Sequence, residues 1–315
     1  MIVMVTGAAG FVGSHLCELL LDRGYRVRAV DRFTGYYPRP NKERNLLGLH
    51  GRDGFDLIEA DLADGRLSHY LADVEVVYHL AGQPGVRPSW GREFDTYVHH
   101  NVLATQRLLE SLKDLPLRKL VFASSSSVYG NAEAYPTSES VRPQPVSPYG
   151  VTKLAAEHLC ELYRENFGLP SASLRLFTVY GPRQRPDMAF GRLIRAALTG
   201  EPFEVYGDGG QTRDFTFVGD VVRAMHNAAM SEWEGVANVG GGHQTSLNRV
   251  ISLVEGLCGP VKRISRPVAP GDVRHTGADT RVARTGFGYD PRSTLEEGLD
   301  AMVQWERSQL GALIG

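Results

Sequence analysis

The sequence predicts an α/β protein, a doubly wound parallel sheet carrying a smaller C-terminal lobe. Two features of its first half carry that reading. Short β-rich runs alternate with longer helical patterns, and several of the runs are apolar almost without a break, as strands covered by helices on both faces are. A glycine-rich turn also joins the first run to the first helix, the connection that opens a right-handed β-α-β series.

The first strand is read at Ile2–Thr6, followed by a helix over Phe11–Asp22. Further strands are read at Arg26–Val30, Asp56–Glu59, Val76–Leu80, Lys119–Ala123 and Ala172–Leu176. Helical patterns occupy Glu93–Leu112 and Pro148–Asn166. Ser147 is a good N-cap and Pro148 a good first helical residue, so the last of these should begin there. Beyond about residue 177 the rhythm breaks into Gly/Pro-rich connections such as Tyr180-Gly181-Pro182 and Tyr206-Gly207-Asp208-Gly209-Gly210. One regular helical stretch, Asp220–Met230, is expected to rejoin the sheet. The division that follows is a first domain over 1–177, rejoined by about 215–242, and a lobe from 178–214 and 243–315. No internal repeat or low-complexity linker interrupts it.

Composition narrows the function. Apolar residues at 42% and charged residues at 22% are those of an ordinary globular chain able to bury a sizeable core. A net charge of −2 without a long basic run argues against nucleic acid as a partner. Cys17, Cys160 and Cys258 are too few and too scattered for a disulfide framework or a metal site, and read as reduced core thiols. The N-terminus runs straight into a strand with no basic segment or cleavage site, and no apolar stretch approaches the roughly 18 residues of a membrane span. The expectation is a cytoplasmic enzyme with no membrane partner and no metal.

Thr6-Gly7-Ala8-Ala9-Gly10-Phe11-Val12-Gly13 lies between the first strand and the first helix. Small residues there let backbone amides approach a pyrophosphate, and the helix N-terminus adds partial positive charge. Gly7, Gly10, Phe11, Val12 and Gly13 are the cofactor candidates in this turn. Asp31 ends the second strand, placed to accept hydrogen bonds from an adenosine ribose 2′-OH, which favours NAD. Arg32 beside it is the residue that pairs with a 2′-phosphate where one is bound. Asp61-Leu62 is expected to face adenine, and Leu80-Ala81-Gly82, following His79, to pass close to the ribose.

Tyr149 and Lys153 stand at i and i+4 on one face of the predicted helix. An ammonium near a phenol favours the phenolate, so the tyrosine can act as a base, while the lysine can also hold a cofactor ribose. The fifth strand leads into Ser124-Ser125-Ser126-Ser127, hydroxyls that face the ligand crevice of a parallel sheet and can orient a substrate hydroxyl.

These segments, TGAAGFVG, SSSSVYG, SPYGVTK and RLFTVYGPRQRPDM, resemble the nucleotide-sugar epimerase/dehydratase family of extended short-chain dehydrogenase/reductases. The likeness continues through Tyr206-Gly207-Asp208-Gly209, Arg213-Asp214-Phe215 and Pro270-Gly271-Asp272, so it spans nearly the whole chain. One departure is Gly219, where the family often has an acid. The resemblance implies a Rossmann domain binding NAD, with Ser124 among the cofactor contacts. It also implies a catalytic set of Ser125, Tyr149 and Lys153, in which Tyr149 takes the proton of a sugar 4-OH. Dehydratases of the family resemble TDEVYG and decarboxylases TSEVYG at the serine segment. Here Ser126 and Ser127 stand in place of those acids, which leaves 4-epimerisation.

The run FTVYGPRQRPDMA is similar to UDP-glucuronate 4-epimerases in particular, as are Asp31–Pro38 and Gly85-Val86-Arg87. That likeness implies Thr178 and Arg185 as holders of a sugar carboxylate, for which an arginine fork is suited. For the rest of the UDP-sugar it implies Arg87, Ser125, Ser126, Ser127 and Tyr149 near the sugar. Arg213, Arg274 and Arg192 would meet the diphosphate, Tyr206 the uracil and Asp272 the ribose. The family pattern also implies a homodimer through the helices at Glu93–Leu112 and Pro148–Asn166. The alternatives are a 4-epimerase for UDP-glucose or a UDP-N-acetylhexosamine, and a non-catalytic NAD-binding sensor.

Overall fold

The computed structural model describes residues 1–64, 67–268 and 271–314; Pro270 of the quoted Pro270-Gly271-Asp272 run lies outside them. Along the chain come β1 (Ile2–Thr6), α1 (Phe11–Asp22), β2 (Arg26–Asp31), α2 (Arg39–Leu46), β3 (Phe55–Glu59) and β4 (Val74–His79). Next are α3 (Phe94–Tyr97), α4 (Ala104–Leu112), β5 (Lys119–Ser125), α5 (Pro148–Phe167) and β6 (Ser171–Leu176). β7 (Val179–Tyr180), α6 (Ala189–Thr199), β8 (Phe203–Tyr206), β9 (Thr212–Asp214) and β10 (Thr216–Phe217) precede α7 (Val218–Met230) and β11 (Gly235–Val239). The chain closes with β12 (Gln244–Ser246), α8 (Leu247–Cys258), β13 (Arg263–Arg266), α9 (Arg281–Phe287) and α10 (Leu295–Ile314).

The central sheet has the order β3-β2-β1-β4-β5-β6-β11, and every pairing in it is parallel. Apolar side chains leave both faces of β1, and two separate cores receive them. Leu16 and Leu20 of α1 pack with Val221 and Met225 of α7 on one face. Leu108 and Leu112 of α4 pack with Ala156 and Cys160 of α5 on the other. A third core lies among the later elements, where Leu193 and Ile194 of α6 meet Val250 and Val254 of α8 and Met302 of α10. The strand order reverses between β1 and β4, which opens a crevice at their carboxyl ends.

The structure corrects three sequence expectations. The helix expected over Glu93–Leu112 is not continuous: α3 passes through a π-turn at Val98–Leu103 into α4. The wider turn admits Asn101, which is buried and hydrogen-bonded on both ends of its amide. β5 extends to Ser125, so Ser124 and Ser125 belong to the sheet and pair in register with Arg175 and Leu176. The seventh strand, β11, has no strand pattern in the sequence, because its five residues include glycine and asparagine. Of the three thiols, Cys17 and Cys160 are buried, whereas Cys258 is only half-buried.

Candidate active site

The carboxyl ends of the central strands open onto one cavity of about 450 Å³. At one end lies the glycine turn. Gly7 takes a left-handed conformation with φ +70°, and a Cβ on Gly13 would stand 2.2 Å from the Gly7 carbonyl oxygen. Only hydrogen fits at either place, so α1 packs directly against the turn. No side chain caps α1, which leaves its first amides for an anion. Gly7, Gly10, Phe11, Val12 and Gly13 all line the cavity.

Asp31 is buried at the end of β2. Its carboxylate accepts the Ala9 N–H at 3.0 Å and the Phe33 N–H at 2.7 Å, and the Lys42 ammonium stands 3.6 Å away. Arg32 is turned toward Asp61, with Nη1 2.7 Å from Oδ2. The arginine whose reach for a 2′-phosphate weighed against NAD is therefore already paired. Asp61, His99 and His100 bring possible metal-ligand atoms together, yet the Arg32 guanidinium already occupies that place as the cation. Leu62, Leu80, Ala81 and Gly82 complete this end of the wall. The loop after β4 is held by Thr6, whose Oγ1 accepts the Leu80 and Ala81 N–H groups at 3.2 and 3.1 Å. His79 hydrogen-bonds Thr6 and Thr105 through its two ring nitrogens. Burial lowers it to about 3, so it is neutral and structural.

At the other end, α5 begins as its caps predict: Ser147 Oγ accepts the Gly150 N–H at 3.1 Å. Ser124, Ser125, Ser126, Ser127, Tyr149 and Lys153 line the cavity together. Ser124 donates to the buried Glu157 carboxylate at 2.6 Å, and Glu157 pairs with Arg175 beneath the site. Lys153 lies 4.3 Å over the Phe122 ring, and burial lowers it to about 8. Burial raises the Tyr149 phenol, while the Ser125 hydroxyl and the Arg185 guanidinium pull it back toward ionisation.

Thr178 and Arg185 also line the cavity. Arg185 donates through Nε and Nη2 to the two oxygens of Asp187, each at 3.0 Å. The remaining candidates do not line this cavity. Arg87 pairs with Asp272 at 2.7 Å and lies 3.9 Å over the Tyr206 ring. Arg213 donates to the Thr212 and Arg274 carbonyls, Arg274 pairs with Asp208, and Arg192 with Glu204. Sequence reasoning missed Lys42, Gln83, His100 and Asn101 as wall residues. No motif marks them, whereas Thr34, Tyr36, Tyr37, Gly85, Val86 and Met188, also in the wall, lie within segments that carry the family resemblance.

A glycine turn at a sheet's switch point, an acid ending β2 and a Tyr/Lys pair beside serine hydroxyls define a dinucleotide-dependent enzyme that works on an alcohol. Similarity to known proteins is specific. The model of the "NAD dependent epimerase/dehydratase family" matches residues 3–240. The chain belongs to this family, and NAD is its cofactor. It is 44% identical to the UDP-glucuronic acid 4-epimerase of Bacillus cereus, solved in complex with UDP-glucuronic acid and NAD. The TM-score is 0.95, covering 98% of this chain and 100% of that one. It is also 44% identical to the uncharacterized UDP-glucose epimerase YtcB of Bacillus subtilis, over 94% of this chain and 95% of that protein. A third relative, the UDP-glucuronate 4-epimerase of Thermodesulfobacterium geofontis, is 34% identical over 98% of this chain and 96% of its own length.

Proposed function

We propose that the NAD-dependent UDP-sugar 4-epimerisation this chain performs takes UDP-glucuronate to UDP-galacturonate. The observation that carries this reading is the Arg185 guanidinium in the wall beside Tyr149 and Thr178, where positions 126 and 127 hold only hydroxyls. A guanidinium beside the reacting sugar matches a carboxylate and is wasted on a hydroxymethyl group.

The cavity fits NAD. Its glycine cradle would be filled by any Cβ, its helix start is uncapped, and Asp31 stands buried one strand away. Gly7, Gly10, Phe11, Val12 and Gly13 would hold the pyrophosphate, Asp31 a ribose, Asp61 and Leu62 the adenine, and Leu80, Ala81, Gly82, Ser124 and Lys153 the nicotinamide half. Bound NAD accepts the hydride of the sugar C4 and returns it. Tyr149 takes the proton of the sugar 4-OH, and Ser125 orients that hydroxyl. The 4-keto sugar then turns and is reduced on its other face. Arg185 and Thr178 hold the carboxylate meanwhile, since a 4-keto uronate is a β-keto acid that loses CO₂ when the carboxylate aligns with the ketone π system. Ser126 and Ser127 flank the sugar.

The nucleotide lies toward the lobe of residues 178–214 and 243–315, with Tyr206 against uracil, Asp272 at the ribose and Arg87, Arg192, Arg213 and Arg274 around the phosphates. The enzyme works in the cytoplasm as a homodimer. Supporting the dimer, Phe94, Val98, Leu103, Val151, Leu162 and Phe167 stand exposed on the α3–α4 and α5 segments. No helix of the described residues is long and apolar enough to cross a membrane.

The test is to incubate the protein with UDP-glucuronate and UDP-glucose separately and identify the products. UDP-galacturonate should form, without NADH building up in step with it. Equal turnover of UDP-glucose, the substrate class in the name of the Bacillus subtilis relative, would reject the carboxylate reading.

A further inference from the structure

Arg185 divides its guanidinium between two environments. The Nε–Nη2 edge donates side-on to Asp187, one bond to each carboxylate oxygen at 3.0 Å. Nη1 makes no hydrogen bond among the described residues. Arg185 lines the cavity, and Asp187 does not. Asp187 is also the more exposed partner, with 39% of its side chain accessible against 18% for Arg185, so the acid lies on the solvent side of the guanidinium. The guanidinium is near enough to Tyr149 to favour its ionised form. Asp187 is itself tied across the cleft, because the Tyr36 hydroxyl donates to its Oδ2 at 3.3 Å, and Tyr36 is part of the cavity wall.

We infer that Asp187 is a positioning residue for carboxylate recognition: it pins one edge of Arg185 so that the other stays turned to the sugar, with Tyr36 bracing it from the loop after β2. The inference rests on the UDP-glucuronate reading. An arginine side chain free to sample its rotamers must be ordered when a ligand binds, and that cost falls on affinity. A side-on partner meets it in advance and leaves two end-on N–H groups aimed at the ligand. The opposite role, Asp187 competing with the substrate for the same edge, would need the acid to face the cavity. It does not.

The role gives a signature that a general structural role lacks. Asp187→Asn should raise KM for UDP-glucuronate about 5- to 30-fold while kcat changes less. Binding of UDP-glucose and of NAD should stay within about twofold. The fraction of turnovers ending in a UDP-pentose should rise, since the carboxylate is held less firmly. In an Arg185→Leu background Asp187→Asn should have no further effect on UDP-glucuronate, because the group it positions is gone. Tyr36→Phe should act in the same direction more weakly. Tighter UDP-glucuronate binding by Asp187→Asn would show competition and overturn the proposal. So would an unchanged KM, an equal loss for UDP-glucose and NAD, or a full effect persisting without Arg185. A wild type that binds UDP-glucose as tightly as UDP-glucuronate overturns the substrate reading, and the proposal with it. A preserved wild-type preference together with an inert Asp187→Asn overturns the proposal alone.

Discussion

At the scale of single residues, the Tyr149–Lys153 pair shows what spacing conveys and what it leaves out. Their separation of four residues and the Ser147 cap were plain in the sequence, and α5 begins where the cap put it. Their electrostatics were not, because burial depends on what the rest of the chain stacks around them. Burial raises the phenol and lowers the ammonium to about 8. Base chemistry needs Tyr149 without its proton, and burial holds that proton on. kcat/KM for the sugar should therefore rise with pH as the phenolate fraction grows, and a profile flat from about 6.5 to 9 would contradict this. Tyr149→Phe removes the acceptor and little volume. It should cost about 10²- to 10⁴-fold in kcat, with NAD affinity nearly unchanged. A loss below about tenfold would remove Tyr149 from the role of base. Arg185 was legible only by resemblance, and its partner Asp187, two residues on, had no signal of its own.

At the scale of elements, β1 to β6, α1 and the start of α5 were readable because their patterns are local: continuous apolar runs, a glycine turn, an N-cap followed by proline. The π-turn at Val98–Leu103 was not readable. It is set by a tertiary demand, since Asn101 accepts the Gln83 N–H at 2.6 Å and donates to the Gln83 carbonyl and to Thr152 Oγ1 at 3.1 and 2.9 Å. One side chain thus joins the loop after β4 to the helix that carries Lys153. An apolar replacement leaves the Gln83 N–H and the Thr152 hydroxyl buried without that partner. Asn101→Leu should destabilise the protein by roughly 1–3 kcal/mol for the unsatisfied groups. Chemical denaturation measures the loss, and weaker NAD binding should accompany it because Asn101 and Gln83 both line the cavity. A wild-type midpoint with wild-type NAD affinity would mean that the clamp does no such work.

At the scale of the whole molecule, the parallel sheet followed from the alternation of strands and helices. The pairing of the later strands did not, because β7 to β10 are two to four residues long and their partners lie far along the chain. β9 pairs with β12, and β8 with β13. The exposed apolar face of α5 belongs to this scale as well. Leu162, half-exposed at 52%, lies on that face away from the cavity. Leu162→Glu should convert the proposed dimer to a monomer in sedimentation while the monomer still binds NAD. A monomeric wild type would reject the dimer.

The cavity wall is drawn from turns that follow β1, β2, β3, β4, β5 and β6, and each turn belongs to a different part of the chain. A dinucleotide lying across them touches segments that are otherwise joined mainly through the sheet below. It acts as a keystone, and thermodynamic linkage gives the size of the effect. A ligand bound only by the folded state and present at a hundred times its dissociation constant adds about 2.7 kcal/mol of stability. For a chain of 315 residues this corresponds to about 4 °C in melting temperature. Removing NAD and restoring it should move the midpoint down and back by that amount. The supply of folded enzyme in a cell would then follow the size of its dinucleotide pool, so that starvation for the cofactor shortens the life of the protein along with its activity.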